Sequence, residues 1–139
     1  MVVFQSTMSG KEALMCVDDD DLISNSIKSG KHWPDCDILS KIWNDGARAN
    51  DDKSLYYVEI GANIGGCILE MLLSTNASII AFEPHPMNIF NLKKTVSHLD
   101  KSYQNRLMLF PIGIGDASAT STIHSASGNM GNSGKSPML

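Results

Sequence analysis

Two carboxylates, Glu59 and Glu83, stand at the ends of two short apolar runs and bracket the segment Gly61-Ala62-Asn63-Ile64-Gly65-Gly66. The passage reads as a strand, a glycine turn, a helix and a second strand that closes in Ile79-Ile80-Ala81-Phe82-Glu83-Pro84. A turn of this kind presents backbone N–H groups beyond the carboxyl ends of parallel strands, where open α/β sheets hold nucleoside-bearing ligands.

The residue types narrow the ligand. A dinucleotide site wants G-x-G-x-x-G, whose second glycine lets a pyrophosphate approach the backbone, and Asn63 occupies that place. Glu59, two residues before Gly61, would repel a pyrophosphate that needs the amides. The same charge suits a cation. S-adenosylmethionine carries an α-ammonium and a sulfonium and no phosphate, so a carboxylate at the end of the first strand can balance charge that a nicotinamide dinucleotide lacks. Glu83 would accept hydrogen bonds from two ribose hydroxyls, and Asn63 tolerates the positive φ of a tight turn.

The elements that must position these groups follow from periodicity. A short helix is expected from about Leu22 to Ser29, capped by the aspartate run and stopped by Gly30. A second helix, from about Asp37 to Asn44 and ending near Gly46, sets Ile38, Leu39, Ile42 and Trp43 at helical spacing. A polar linker, residues 44–54, leads to a strand over Leu55 to Ile60 and a helix from about Ile64 to Ser74. Ser78 to Phe82 is a continuous apolar run of the kind covered on both faces in a parallel sheet. A helix from Pro86 to about Leu99, with Ile89, Leu92, Val96 and Leu99 inward, precedes a third strand over Leu107 to Phe110. The sum is a βαβαβ half of a doubly wound sheet, followed by a short ribbon within Ala117 to His124 and a Gly/Ser/Asn-rich tail over residues 125–139.

At this point the chain resembles the FkbM-type family of class I S-adenosylmethionine-dependent methyltransferases. The resemblance rests on V-E-I-G-A-N-I-G, A-F-E-P-H-P, the lead-in D-L-I-S-N-S-I-K, the helix opening P-M-N-I-F-N-L-K-K and the Gly-Asn-Ser-Gly segment, and spans roughly Asp21 to Gly134. It implies a Rossmann-like α/β fold with an amino-terminal helical lead-in, and methyl transfer to oxygen on a sugar or other small acceptor. It also implies that Glu59, Gly61, Asn63 and Gly65 form the pocket for the methionine end, that Glu83 binds the ribose and that Asp116 contacts the adenine. Two bland readings stand beside these: Asp116 as a turn residue in G-I-G-D-A, and Glu83 as a helix amino-terminal carboxylate ahead of Pro86. Enzymes of this family continue with a D-x-E-G-x-E-like segment and further strands. None follows here, so the expectation is a fold truncated after its third strand, with the first strand left as an apolar edge open to self-association or partner pairing. A catalytically inactive cofactor-binding or interaction half-domain is the alternative function.

The expected divisions are a poorly ordered segment over residues 1–20, a helical lead-in over 21–50, the cofactor-binding domain over 51–124 and the tail over 125–139. Among 139 residues, 42% are hydrophobic and 19% charged, as in a globular protein of one domain. A formal net charge of -4, with Lys93-Lys94 as the one adjacent basic pair, leaves no footprint for nucleic acid. No run approaches the roughly 18 apolar residues of a spanning helix, so no membrane partner is expected. Cys16, Cys36 and Cys67 are odd in number and lack C-x-x-C spacing, which argues against a disulfide framework and a zinc site and favours a reducing cytoplasm. Asp18 to Asp21 reads as a helix cap, with cation chelation as the alternative. The histidines show no metal spacing; His85, between Pro84 and Pro86, is placed to stack on adenine or take a proton. The near-P-loop N-M-G-N-S-G-K-S, residues 129–136, would need its first glycine at position 129, where Gly128 is one place out of register, and is set aside.

Overall fold

The computed structural model describes residues 1–49, 55–120, 122–125 and 134–135. The chain opens with an antiparallel hairpin of β1 (Val2–Gln5) and β2 (Glu12–Met15), in register from Val2↔Met15 to Gln5↔Glu12. This corrects the expectation of a poorly ordered segment over residues 1–20. Four-residue strands carry too few positions to show a period. Order comes instead from Phe4 and Met15, which are fully buried and share a cluster with Ile27, Ile64 and Leu69.

Helix α1 (Leu22–Gly30) starts as its composition suggests: Asp21 is extended and its carboxylate accepts from the Ser24 N–H at 2.9 Å. The left-handed residue at its end is Lys31, at φ 64°, one place beyond the glycine expected to stop it. A 3₁₀ turn (Pro34–Cys36) leads into α2 (Asp37–Ala49), which runs on through Gly46. Half of its apolar stripe is used. Leu39 and Trp43 pack on the core, whereas Ile38 and Ile42 are each 59% exposed.

Next come β3 (Tyr56–Ile60), α3 (Gly66–Ser74), β4 (Ser78–Phe82), α4 (Pro86–Ser97), a one-turn α5 (Lys101–Gln104) and β5 (Leu107–Phe110). The three strands are parallel in the order β3-β4-β5, with Val58 beside Ile80 and Ile80 beside Met108. Ile79 and Ala81 are fully buried under Ile68, Met71 and Leu72 of α3 and Leu92 of α4, with Tyr57, Leu107 and Leu109 packed around them. Alternation along a strand sends Val58, Ile60, Met108 and Phe110 to the opposite face, where all four are exposed. The expectation that the middle strand is covered on both faces therefore holds for one face only among the described residues. Beyond β5, residues 111–120 are exposed, and β6 (Ile123–His124) pairs with β7 (Gly134–Lys135). The P-loop-like stretch lies mostly outside the described residues, as does the end of the polar linker, residues 50–54.

The helical side is joined by polar contacts that periodicity does not encode. In α4 the buried positions are Asn88, Asn91, Leu92 and Thr95, rather than the wholly apolar stripe expected. The exit of the hairpin explains this: the Cys16 N–H donates to Thr95 Oγ1 at 2.9 Å, and Asn91 Nδ2 donates to Asp18 at 2.8 Å. Glu70 of α3 is buried because Ser6 Oγ donates to it at 2.9 Å and the Thr7 N–H at 3.2 Å, so the carboxylate is satisfied by the hairpin.

Cys36 and Cys67 form a disulfide, with Cα atoms 4.9 Å apart. This corrects the reading of the cysteines, and with it the support that their spacing lent to a reducing compartment. Pairing depends on distance in space, and the partners are 31 residues apart in sequence. The bond ties the 3₁₀ turn to the first turn of α3. Closing a loop of that length stabilises a chain by about 4 kcal/mol through the unfolded state. Urea unfolding of Cys36→Ser, or of the protein in a dithiol reductant, is expected to show a loss near that size against the oxidised protein.

Candidate functional site

The turn between β3 and α3 is shaped by three left-handed residues, Gly61 at φ 82°, Asn63 at φ 52° and Gly65 at φ 93°. Asparagine holds such a conformation through a local bond, and Asn63 Oδ1 accepts from the Ile64 N–H at 2.6 Å. Gly65 has a second reason to lack a side chain: a Cβ there would run into Leu92 of α4. The Gly61 and Ala62 N–H groups both donate to the Phe82 carbonyl, at 2.8 and 3.0 Å, which folds the turn back over the end of β4.

Glu83 stands at the centre. It is 5% exposed; one carboxylate oxygen accepts from the Asn63 N–H at 2.8 Å, the other from the His85 N–H at 2.8 Å and Asn88 Nδ2 at 3.3 Å. A carboxylate has about four acceptor positions, so one remains, on the oxygen that holds Asn63. The bland reading of Glu83 as a carboxylate at a helix start is realised in its bond to His85. A ribose would be met by one further hydrogen bond rather than two unless the turn shifts.

His85 is buried and caps α4, accepting from the Met87 N–H at Nδ1, 3.3 Å away. That bond leaves the proton on Nε2, which donates to Ser125 Oγ at 2.7 Å. Both ring nitrogens are engaged, so the imidazole is a structural cap here. Asn88 Oδ1 is buried without a partner among the described residues.

Glu59 shares the helix-facing side of β3 with Tyr57, whose hydroxyl donates to it at 2.9 Å. Burial pushes the Glu59 carboxyl up to about 7 while the Tyr57 bond pulls it down, and Tyr57 itself is pushed well above its usual range by burial and by the Glu59 charge. Near neutral pH Glu59 is thus balanced between charged and uncharged forms, and a cation beside it would settle it as the carboxylate. Tyr57 was legible in principle, because residues two apart on a strand share a face. The His85–Ser125 contact joins residues 40 apart and leaves no local signal.

Asp116 is exposed on the segment after β5 and makes no hydrogen bond or ion pair among the described residues. Gly113, three residues earlier on the same segment, lies against Pro84, so the segment passes the exit of β4. Within the aspartate run, Asp21 caps α1 and Asp18 holds Asn91. Among the described residues, no group of three or more His, Cys, Asp or Glu side chains could hold a metal ion. No helix among them is long and apolar enough to cross a membrane.

Two outcomes follow from this geometry. Gly65→Ala combines a positive φ with a clash against Leu92 and is expected to cost at least about 2 kcal/mol in urea unfolding. Glu59 binds its proton more tightly folded than unfolded, so its contribution to stability is full at acid pH and is lost as pH rises from its ordinary 4.5 through about 7. The loss is at most about 3 kcal/mol, and Glu59→Gln, which keeps an acceptor for Tyr57, should flatten that part of the stability–pH curve. No family model, no curated protein and no solved structure matches the chain, so the chemistry of these side chains carries the functional reading.

Proposed function

We propose that the chain is an S-adenosylmethionine-binding domain of the methyltransferase type that its motifs resemble, serving methyl transfer to an oxygen of a sugar or other small acceptor. The observation that carries the proposal is Glu59. A largely buried carboxylate with no cation beside it among the described residues stands next to last on the strand that enters a glycine turn. Such a group suits an ammonium or sulfonium ligand and opposes a phosphate. The donor set fits in a second respect, because the remaining acceptor position on Glu83 lies beside Asn63, within the same turn.

When bound, S-adenosylmethionine supplies an electrophilic methyl group on a cationic sulfur. The chain's own residues would hold the ammonium at Glu59, accept a ribose hydroxyl at Glu83 and fix the backbone between them through Gly61, Asn63 and Gly65. Their contribution is alignment, with a base needed only for the acceptor's proton. None of the described residues is assigned as that base. The uncovered sheet face favours a second reading, a cofactor-binding or interaction module without turnover. Binding without methyl transfer to any sugar acceptor would select it.

Calorimetric titration of the oxidised chain is the test. S-adenosylmethionine should bind and NAD should not, and affinity should rise from pH 6 to pH 8 as Glu59 ionises through about 7. Glu59→Gln should weaken binding by roughly tenfold or more, the worth of a hydrogen bond to a charged group, and remove the pH dependence. Absence of S-adenosylmethionine binding at any pH, or tighter binding of NAD, would end the proposal.

A further inference from the structure

The half of the sheet surface that carries no helix among the described residues has a definite chemistry. Tyr56, Val58 and Ile60 of β3 are 51%, 52% and 65% exposed, and Met108 and Phe110 of β5 are 45% and 42% exposed. Between them lies Phe82 of β4, whose ring stacks on Phe110 with centroids 5.2 Å apart, so the patch has a rigid aromatic centre. No charged residue projects from this face within the three strands. Parallel sheets occur almost only with both faces covered.

We propose that a second copy of this chain covers this face, sheet against sheet about a two-fold axis, giving four layers in the order helix, sheet, sheet, helix. The area is one reason. About half of each of several large side chains, the aromatic ones at roughly 150–250 Å² apiece, amounts to on the order of 600 Å². That is the upper end of the patch of about 300–600 Å² found on ordinary monomers, and two such patches together reach the roughly 1,200 Å² at which stable interfaces begin.

Charge is the other reason. A two-fold interface sets one patch against the same patch, so any charge on it would meet its own kind nearby. This face carries none and is self-compatible, while a partner recognised through charge would find nothing to hold. Strand pairing at the free edge of β3 would leave the face bare, so pairing through the edge is the weaker arrangement. The proposed interface lies on the sheet face, with Ile60 and Phe82 bordering the turn at the strand ends, and does not depend on which cofactor binds.

Sedimentation velocity of the intact oxidised chain between about 1 and 100 μM tests it. The wild type should sediment as a dimer at the upper end. Ile60→Lys and Phe110→Glu, checked for unchanged circular dichroism, should each weaken the dimer roughly thirtyfold or more, as loss of a central contact does. Ile38→Glu, at an exposed site on α2, should leave it intact. Hydrogen exchange of the wild type needs no variant: protection should rise with concentration in peptides covering residues 56–60 and 107–110. A folded monomer at 100 μM, a dimer that survives both face variants or is broken by Ile38→Glu, or concentration-dependent protection elsewhere would each overturn the proposal.

Discussion

A single buried carboxylate holds the strand ends in place. Glu83 must leave water at the point where β4 stops, and an unpaired charge there would be costly. It is stabilised by drawing donors from two directions, the Asn63 N–H of the glycine turn and the His85 N–H and Asn88 amide of α4. Each hydrogen bond to a charged group contributes about 1.5–3 kcal/mol, so this set is a principal tie between the β3–α3 turn and the β4–α4 turn. The left-handed residues of the first turn and the position of α4 then constrain each other, which is why Gly65 meets Leu92 with no room for a side chain.

A second set of ties fixes the helical side. Glu70 receives the amino-terminal hairpin, Asn91 and Thr95 receive its exit, and the Cys36–Cys67 bond fastens the lead-in to the start of α3. Arg106, at the start of β5, donates to the carbonyls of Leu72, Thr75 and Ala77 and so satisfies the end of the same helix. Both ends of α3 are thereby bound to other elements. Among the described residues the opposite face of the sheet shows no comparable network and carries mainly apolar side chains. The sheet is held by polar contacts on its helical side and is largely apolar and exposed on the other, and the turn lies at the boundary between them.

The site's electrostatics divide along the same lines. Glu83 is satisfied by the protein itself, while Glu59 has one neutral partner among the described residues, Tyr57, and is therefore the group whose charge responds to what is nearby. Two carboxylates at the ends of adjacent strands thus do different work, one structural with a remaining acceptor position and one electrostatic. Their sequence contexts, strand followed by acid, look alike.

Much of the core was legible in the chain. The apolar runs at 56–60, 78–82 and 107–110 became parallel strands, Asp21 became a cap, and the glycine turn took the positive φ values that its residue types admit. Local steric preference and periodicity determine such features, and both are written in neighbouring residues. The hairpin, the disulfide, the polar face of α4, the binding partners of Glu70 and Glu83 and the uncovered sheet face were decided by tertiary structure alone. Most of these depend on groups that meet across 20 or more residues of chain, as with Asn63 and Glu83 or Ser6 and Glu70. The sequence by itself determined that a turn with two carboxylates would form. Only the fold decided which of the two is tied down and which is left to respond to a charge.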